Sequence, residues 1–258
     1  DLEALWLAPA DVASFTRGQA VAPGGRRRSL DAAAETPTSV EPGAPASQQA
    51  AAALAQAFEN VKTTLAEAEA GLGAIDTVAG DGDHGVGMAT GAAAAAEAAR
   101  TALAHGAGAG TLLRLAGAAW SKHAGGTSGA LWGAGLEAAA PVIADAAAPD
   151  SAAVARAAAA FSDAIISRGG AAPGDKTMVD AVVPFAETLA AEVGAGSELA
   201  AAWLAASVAA DRAARSTSAF ASRRGRSKLH GGRSIGTPDP GATSFALIVT
   251  SLADGFRR

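Results

Sequence analysis

The chain contains no cysteine. That excludes disulfide bridges, thiolate metal sites and a cysteine nucleophile together. Aromatic residues make up only 4% of the 258 positions and charged residues only 17%. No apolar run reaches the roughly 18 uninterrupted residues that a membrane-spanning helix needs. Strand signals are almost absent. With a net charge of −5, a nucleic-acid partner is not expected. The P-loop is missing as well: Lys176-Thr177 follows Asp175 rather than glycine, and the G-x-x-x-x-G-K-[ST] spacing is not met. No signal peptide is visible and the chain opens on Asp1 rather than Met, so a piece of a longer cytoplasmic protein is expected.

What the sequence has in abundance is alanine, within a 50% hydrophobic composition. Alanine is the best helix former, and the expected fold class is all-α with close helix packing. Residues 1–47 differ from the rest. Leu2, Leu5, Trp6 and Leu7 look like the last packed piece of a preceding domain. From Pro23 to Ser47 the chain is rich in Pro, Gly, Ser and Thr around Arg26-Arg27-Arg28, a linker composition. From residue 48 onward, helical stretches alternate with glycine-rich joints. Leu54, Phe58, Val61 and Leu65 repeat at i, i+4, i+7, i+11 on one face. Further helices are expected near 86–104, 110–122, 128–145, 151–167, 176–193, 196–216 and 241–255. Short joints favour antiparallel neighbours, so eight helices should form a bundle or a helical barrel.

The chemistry sits in the joints. Asp76, Asp81 and Asp83 fall within eight residues among glycines. Carboxylates so close repel one another unless a cation lies between them. Hard oxygen donors on a flexible backbone suit Mg²⁺, which often bridges to phosphate oxygens. Two competing motifs fail. Gly80, Gly82 and Gly85 match the dinucleotide fingerprint G-x-G-x-x-G, but aspartates at its variable positions would repel a pyrophosphate, and no ribose-binding acid follows about 20 residues on. A calcium hand counted from Asp81 puts Ala92 where a glutamate is required. A simple capped turn needs one aspartate, not three.

Three further joints precede helices: Gly125-Gly126-Thr127-Ser128-Gly129, Pro173-Gly174-Asp175-Lys176-Thr177-Met178, and Asp239-Pro240-Gly241-Ala242-Thr243-Ser244. In the last, Asp239 is placed as N-cap and Pro240 as the first helical residue. Helix starts beside glycines and hydroxyls are ready anion sites. Four of them suggest a rim where helix N-termini converge on a phosphate ligand. Arg223, Arg224, Arg226, Lys228 and Arg233 put five cations into eleven positions. One or two of these are expected to face the ligand and the others to be solvated. Mg²⁺ disfavours imidazole, so His84 reads as a phosphate or loop hydrogen-bonding group rather than a ligand. His105, His123 and His230 have no partner pattern, and Ser128 is not in a hydrolase-type nucleophile elbow.

These joints, in this order and together with Ser167-Arg168-Gly169, Arg224-Gly225-Arg226 and Arg233-Ser234-Ile235-Gly236, resemble the nucleotide-binding domain of the dihydroxyacetone kinases, the DhaL or Dak2 type. The likeness covers residues 48–258. It implies a barrel of eight antiparallel helices with ATP or ADP bound at one rim. It implies two Mg²⁺ ions held by Asp76, Asp81 and Asp83. His84, Gly85, Val86, Gly87, Thr127, Ser128, Gly169, Met178, Arg226, Asp239, Pro240 and Gly241 fall on nucleotide-contacting positions. The ketose of this family is held by a separate DhaK-type substrate domain through a histidine expected there, and the catalytic residues within residues 48–258 are left unassigned.

Residues 1–22 resemble the tail of that substrate domain, with 23–47 as the connection. The resemblance therefore implies a fused, ATP-dependent kinase of glycerol metabolism that is homodimeric at full length. The family also contains a phosphotransferase-linked form that retains ADP, members that partner transcription regulators, members that cleave FAD, and the related fatty-acid kinases. Asp83-His84-Gly85 and Gly174-Asp175-Lys176-Thr177-Met178 favour the ketose-kinase branch. Residues 227–232 depart from the family pattern, which leaves erythrulose or another short ketose open beside dihydroxyacetone.

Overall fold

The structure is a computed structural model, which describes residues 40–224, 228 and 232–255. Residues 1–39, with the expected domain tail and most of the expected linker, lie outside the described residues, as does Arg226. Eight α-helices follow in chain order: α1 Pro45–Thr77, α2 His84–Ala104, α3 Ala109–Ala124, α4 Gly126–Ile143, α5 Ser151–Gly169, α6 Val179–Gly194, α7 Leu199–Ser216 and α8 Pro240–Gly255. No strand occurs among the described residues.

Each helix packs on its neighbours in sequence, and α8 packs back on α1, which closes the ring. The all-α expectation is met. No described helix is long and apolar enough to cross a membrane.

Alanine sets how closely the helices approach. On α2, Ala92, Ala95, Ala99 and Ala102 recur at helical spacing and are at most 2% exposed. A stripe of single methyl groups lets neighbouring backbones come near, and the interior stays close-packed. The scarce aromatics fill the middle. Trp120, Trp132, Phe161, Phe185, Trp203 and Phe245 come one each from α3 to α8. Their rings form a continuous chain, from the stacked pair Trp120–Trp132 at 4.9 Å to Phe185–Trp203 at 5.0 Å. Phe245 touches Trp132, Phe161 and Phe185. Six of the eleven aromatic residues thus tie six helices together.

Local sequence explains several helix ends. Asp150 caps α5 by accepting from Ala153 N at 2.6 Å, and Gly170 ends that helix in the left-handed conformation. Gly125 alone separates α3 from α4, and the chain reverses there because Gly125 (φ +66) and Gly126 (φ +58) both take left-handed values.

Residues 42–47, read above as the end of a linker, are part of the packed unit. Gly43 N donates to Gly106 O at 3.0 Å, and Ala44 N donates to Asp145 O at 2.9 Å. Ser47 is fully buried and its Oγ accepts from Ala109 N at 2.9 Å. The start of α1 therefore sits with the ends of α2 and α4 and the start of α3. With 33 residues, α1 runs about 50 Å from there to Asp76 at its other end.

Candidate functional site

The loop between α1 and α2 is folded around Asp76. Its backbone oxygen accepts from Gly80 N at 2.6 Å. Its Oδ2 accepts from Gly82 N at 2.9 Å and His84 N at 3.4 Å. Position 80 has no room for a side chain, because a Cβ there would run into Asp76 Oδ1. The loop thereby returns the chain so that carboxylate oxygens of Asp76, Asp81 and Asp83 lie within 4.8 Å of one another. Asp76 is half-buried while Asp81 and Asp83 are exposed. Three hard oxygen donors at this spacing, on a glycine-rich turn, fit a divalent cation of the Mg²⁺ type.

Beside the carboxylates opens a cleft of about 490 Å³. Its lining explains the topology. Residues at or next to the starts of α2, α4, α6 and α8 meet there with residues at the ends of α1, α3 and α5. Helix direction therefore alternates around the ring, as the short joints require. Four N-termini aim their peptide dipoles at one space, which favours an anion. In α4 the first bonded amide is Gly129 N, to Gly125 O at 3.2 Å, so the N–H groups of Gly126, Thr127 and Ser128 precede the helical ladder.

Most residues expected at the site are brought together. His84, Val86, Gly87, Thr127, Ser128, Gly169, Met178, Asp239, Pro240 and Gly241 line the cleft with Asp76 and Asp83. Gly85 does not. It is buried against α1, where a Cβ would collide with the Glu69 carbonyl, so its task is to let α2 approach α1. Asp81 belongs to the carboxylate cluster rather than to the cleft wall.

The His84 ring is buried and its Nε2 lies 3.0 Å from Ser244 Oγ. Ser244 Oγ also lies 3.1 Å from Gly241 O, and the His84 ring bonds the Pro240 backbone as well, so the ring is a hydrogen-bonding strut between the start of α2 and the start of α8. Burial lowers its pKa, against the pull of Asp76 and Asp83.

The joint before α6 differs from expectation. The helix begins at Val179, not near 176. Residues 173–178 form a turn held by Asp180, whose Oδ2 accepts from Thr177 N at 2.7 Å and whose Oδ1 accepts from Gly174 N. Lys176 takes φ +61 there and is only 4% exposed. Its Nζ donates to the backbone oxygens of Phe220 (3.0 Å), Thr237 (2.7 Å) and Ser234. Burial lowers its pKa, and Asp239 opposes that.

The Asp175 carboxylate accepts from Ala172 N at 3.1 Å and from Arg224 Nε at 2.9 Å. The hydrogen bond from Arg224 lowers the Asp175 pKa. Asp239 caps α8 as expected, its Oδ1 accepting from Ala242 N at 2.7 Å. Its own N–H donates to Thr217 Oγ1 at 2.7 Å. The carboxyl is buried although part of the residue lines the cleft, and burial pushes its pKa up to about 7.

Sequence reasoning did not single out Leu131 and Ile165, which add an apolar wall. It had the basic run but no signal for which cation faces the cleft. In the structure Arg224 does, with Asp175 as its partner. Pairing across 49 residues leaves no local pattern to read.

The carboxylate cluster, the alternating barrel and the cleft at one rim define a class. The model of the DAK2 domain matches residues 78–254, and the chain belongs to that family. A D-erythrulose kinase of Mycolicibacterium smegmatis is 45% identical over 258 residues, covering 98% of this chain and 44% of the relative. An L-erythrulose 1-kinase of the same organism is 45% identical over 262 residues, covering 100% of this chain and 45% of the relative. The dihydroxyacetone kinase of C. freundii, solved in complex with AMP-PNP and Mg²⁺, superposes with a TM-score of 0.61 at 26% identity. That match covers 93% of this chain and 38% of the solved one. The chain thus spans less than half the length of the curated relatives it matches.

Proposed function

We propose that this chain is the nucleotide-binding part of an ATP-dependent short-ketose kinase. The observation that carries this is the meeting of three carboxylates with four helix N-termini at one cleft. Asp76, Asp81 and Asp83 are assigned to Mg²⁺, two ions in the full site. Mg²⁺ screens the negative charge of the phosphates when bound.

The chain's own residues do the rest. The amides of Gly126, Thr127 and Ser128 hold phosphate oxygens at the start of α4. Arg224, fixed by Asp175, adds positive charge at the cleft, and Arg226 is assigned the same task. His84, Val86, Gly87, Gly169, Met178 and the Asp239-Pro240-Gly241 turn form the remaining nucleotide contacts. Leu131 and Ile165 offer the apolar surface that a base needs. Rate acceleration in this scheme comes from orientation and charge neutralisation, with the γ-phosphoryl oxygens held facing the acceptor.

The acceptor is a ketose held by a separate substrate domain. We assign residues 1–22 to the end of that domain, 23–41 to its connection and, because residues 42–47 pack with the barrel, 42–258 to nucleotide binding. Two relatives named as erythrulose kinases favour erythrulose over dihydroxyacetone as the acceptor. Phosphoryl transfer by the whole protein, assayed with D-erythrulose, L-erythrulose and dihydroxyacetone, tests this. One erythrulose enantiomer should give the highest kcat/KM. A preference for dihydroxyacetone would move the assignment to that ketose, and no transfer to any of the three would contradict it.

A further inference from the structure

A lysine in a Gly-Asp-Lys-Thr turn, at a rim built for phosphates, invites assignment as a phosphate ligand. The geometry points elsewhere. The Lys176 ammonium has three donors, and three backbone oxygens receive them: those of Phe220, Ser234 and Thr237. None is left for a phosphate. These carbonyl dipoles and Asp239 offset the loss of water around a charge on a residue only 4% exposed. The left-handed backbone at Lys176, φ +61, is uncommon for a residue with a side chain; Lys176 is part of the cleft lining, but its ammonium is taken up by the three carbonyls.

The preceding residue works on the same segment. Asp175 O accepts from Arg223 N at 3.1 Å, and its carboxylate holds Arg224 at 2.9 Å. Two successive residues therefore grip positions 220, 223 and 224 at one end, and 234 and 237 at the other. Each grip is next to a cleft residue. Arg224 is itself held, and Asp239 lies two residues beyond Thr237. Within the segment, Ser222 N donates to Ser234 Oγ at 3.1 Å, and Gly236 N reaches outside it to Ser218 O at 2.8 Å.

We infer that Lys176 is a positioning residue of the nucleotide site, with Asp175 as its companion. It fastens both ends of the 220–237 segment so that Arg224 and Asp239 face the nucleotide, and it does not itself touch the phosphates. This rests on the reading of the cleft as a Mg·ATP site, but its mechanical half does not.

The test uses the whole protein with Lys176→Met, Lys176→Arg and Asp175→Asn. Amide hydrogen exchange without nucleotide reads the fastening alone. Lys176→Met should speed exchange across the described amides of 220–237 while α1 to α4 stay protected, and unchanged exchange there would overturn the inference. Steady-state kinetics read the positioning. Lys176→Met should raise the KM for Mg·ATP by about tenfold or more while kcat falls less than about threefold. Lys176→Arg should not restore KM, because a planar fork cannot reach three carbonyls arranged around one ammonium. A lower melting temperature with KM unchanged would overturn the inference in favour of a merely structural lysine. A collapse of kcat at constant KM, rescued by Lys176→Arg, would overturn it in favour of direct phosphate contact.

If Lys176→Met does not fold, Asp175→Asn decides. It breaks the hold on the half-exposed Arg224 and should raise KM about threefold; an unchanged KM overturns the inference. Failure of the unmodified protein to bind Mg·ATP would strike the functional reading instead, leaving the fastening to be judged on exchange.

Discussion

Replacing Asp239 by asparagine should flatten the pH dependence of folding stability. The Asp239 carboxyl has its pKa raised from 3.8 to about 7 in the folded chain, with burial as the main cause. The folded state therefore keeps a proton that the unfolded state has already released. The stability tied to that proton is fully present below the unfolded pKa and is lost as pH rises through the folded one. The slope approaches about 1.4 kcal/mol per pH unit, and the interval between the two values sets a ceiling of roughly 4 kcal/mol. Part of the residue faces the cleft, where water moderates the penalty. We expect about 2 kcal/mol between pH 5 and pH 8.

Asparagine keeps an oxygen for Ala242 N but cannot ionise, so that component should vanish. Burial lowers the His84 pKa, which costs stability as pH falls through the ordinary histidine range. Comparing the two proteins at each pH cancels that contribution. Urea unfolding at pH 5, 6, 7 and 8 is the assay. Asp239→Asn should gain on the unmodified protein as pH rises from 5 to 7 and level off toward pH 8. Parallel stability curves would refute the claim that a buried carboxyl is forced to hold its proton.

Gly85→Ala should cost about 1–3 kcal/mol in chemical unfolding, because the new methyl meets the Glu69 carbonyl on α1; unchanged stability would mean that α1 and α2 are not so close. Phe245→Ala removes a ring that touches three others in the barrel interior, and should cost about 3–5 kcal/mol by the same assay. A loss under about 1 kcal/mol would show that those rings do not bind the helices together.

Much of this fold is legible in the sequence because its helices are separated by glycine. Alanine-rich stretches broken at Gly125, Gly170 and Asp239-Pro240-Gly241 place seven of the eight helices within a few residues. The carboxylate trio is legible for a similar reason: all three members lie on one short loop. What escapes notice depends on partners far along the chain. The start of α6 shifts to Val179 because Lys176 is drawn inward by carbonyls 44 to 61 residues away. Residues 42–47 read as linker because their composition is loop-like, yet Ser47 is held by the start of α3, 62 residues on. His84 gives no hint of its partner Ser244, 160 residues later. Gly85 looks like a loop glycine and acts as a packing glycine, since the space it lacks is taken by another helix.

Calorimetric titration of ATP into the protein, with Mg²⁺ and then with EDTA, for the unmodified chain and for Asp81→Asn, bears hardest on the proposed site. Asp81 is exposed, so the substitution should leave folding intact. The account predicts saturable binding with Mg²⁺, little binding with EDTA, and at least about a tenfold weaker Mg²⁺-dependent affinity in Asp81→Asn. Equal binding with and without Mg²⁺, or no effect of Asp81→Asn, would contradict the assignment of the three aspartates to a cation that holds the nucleotide.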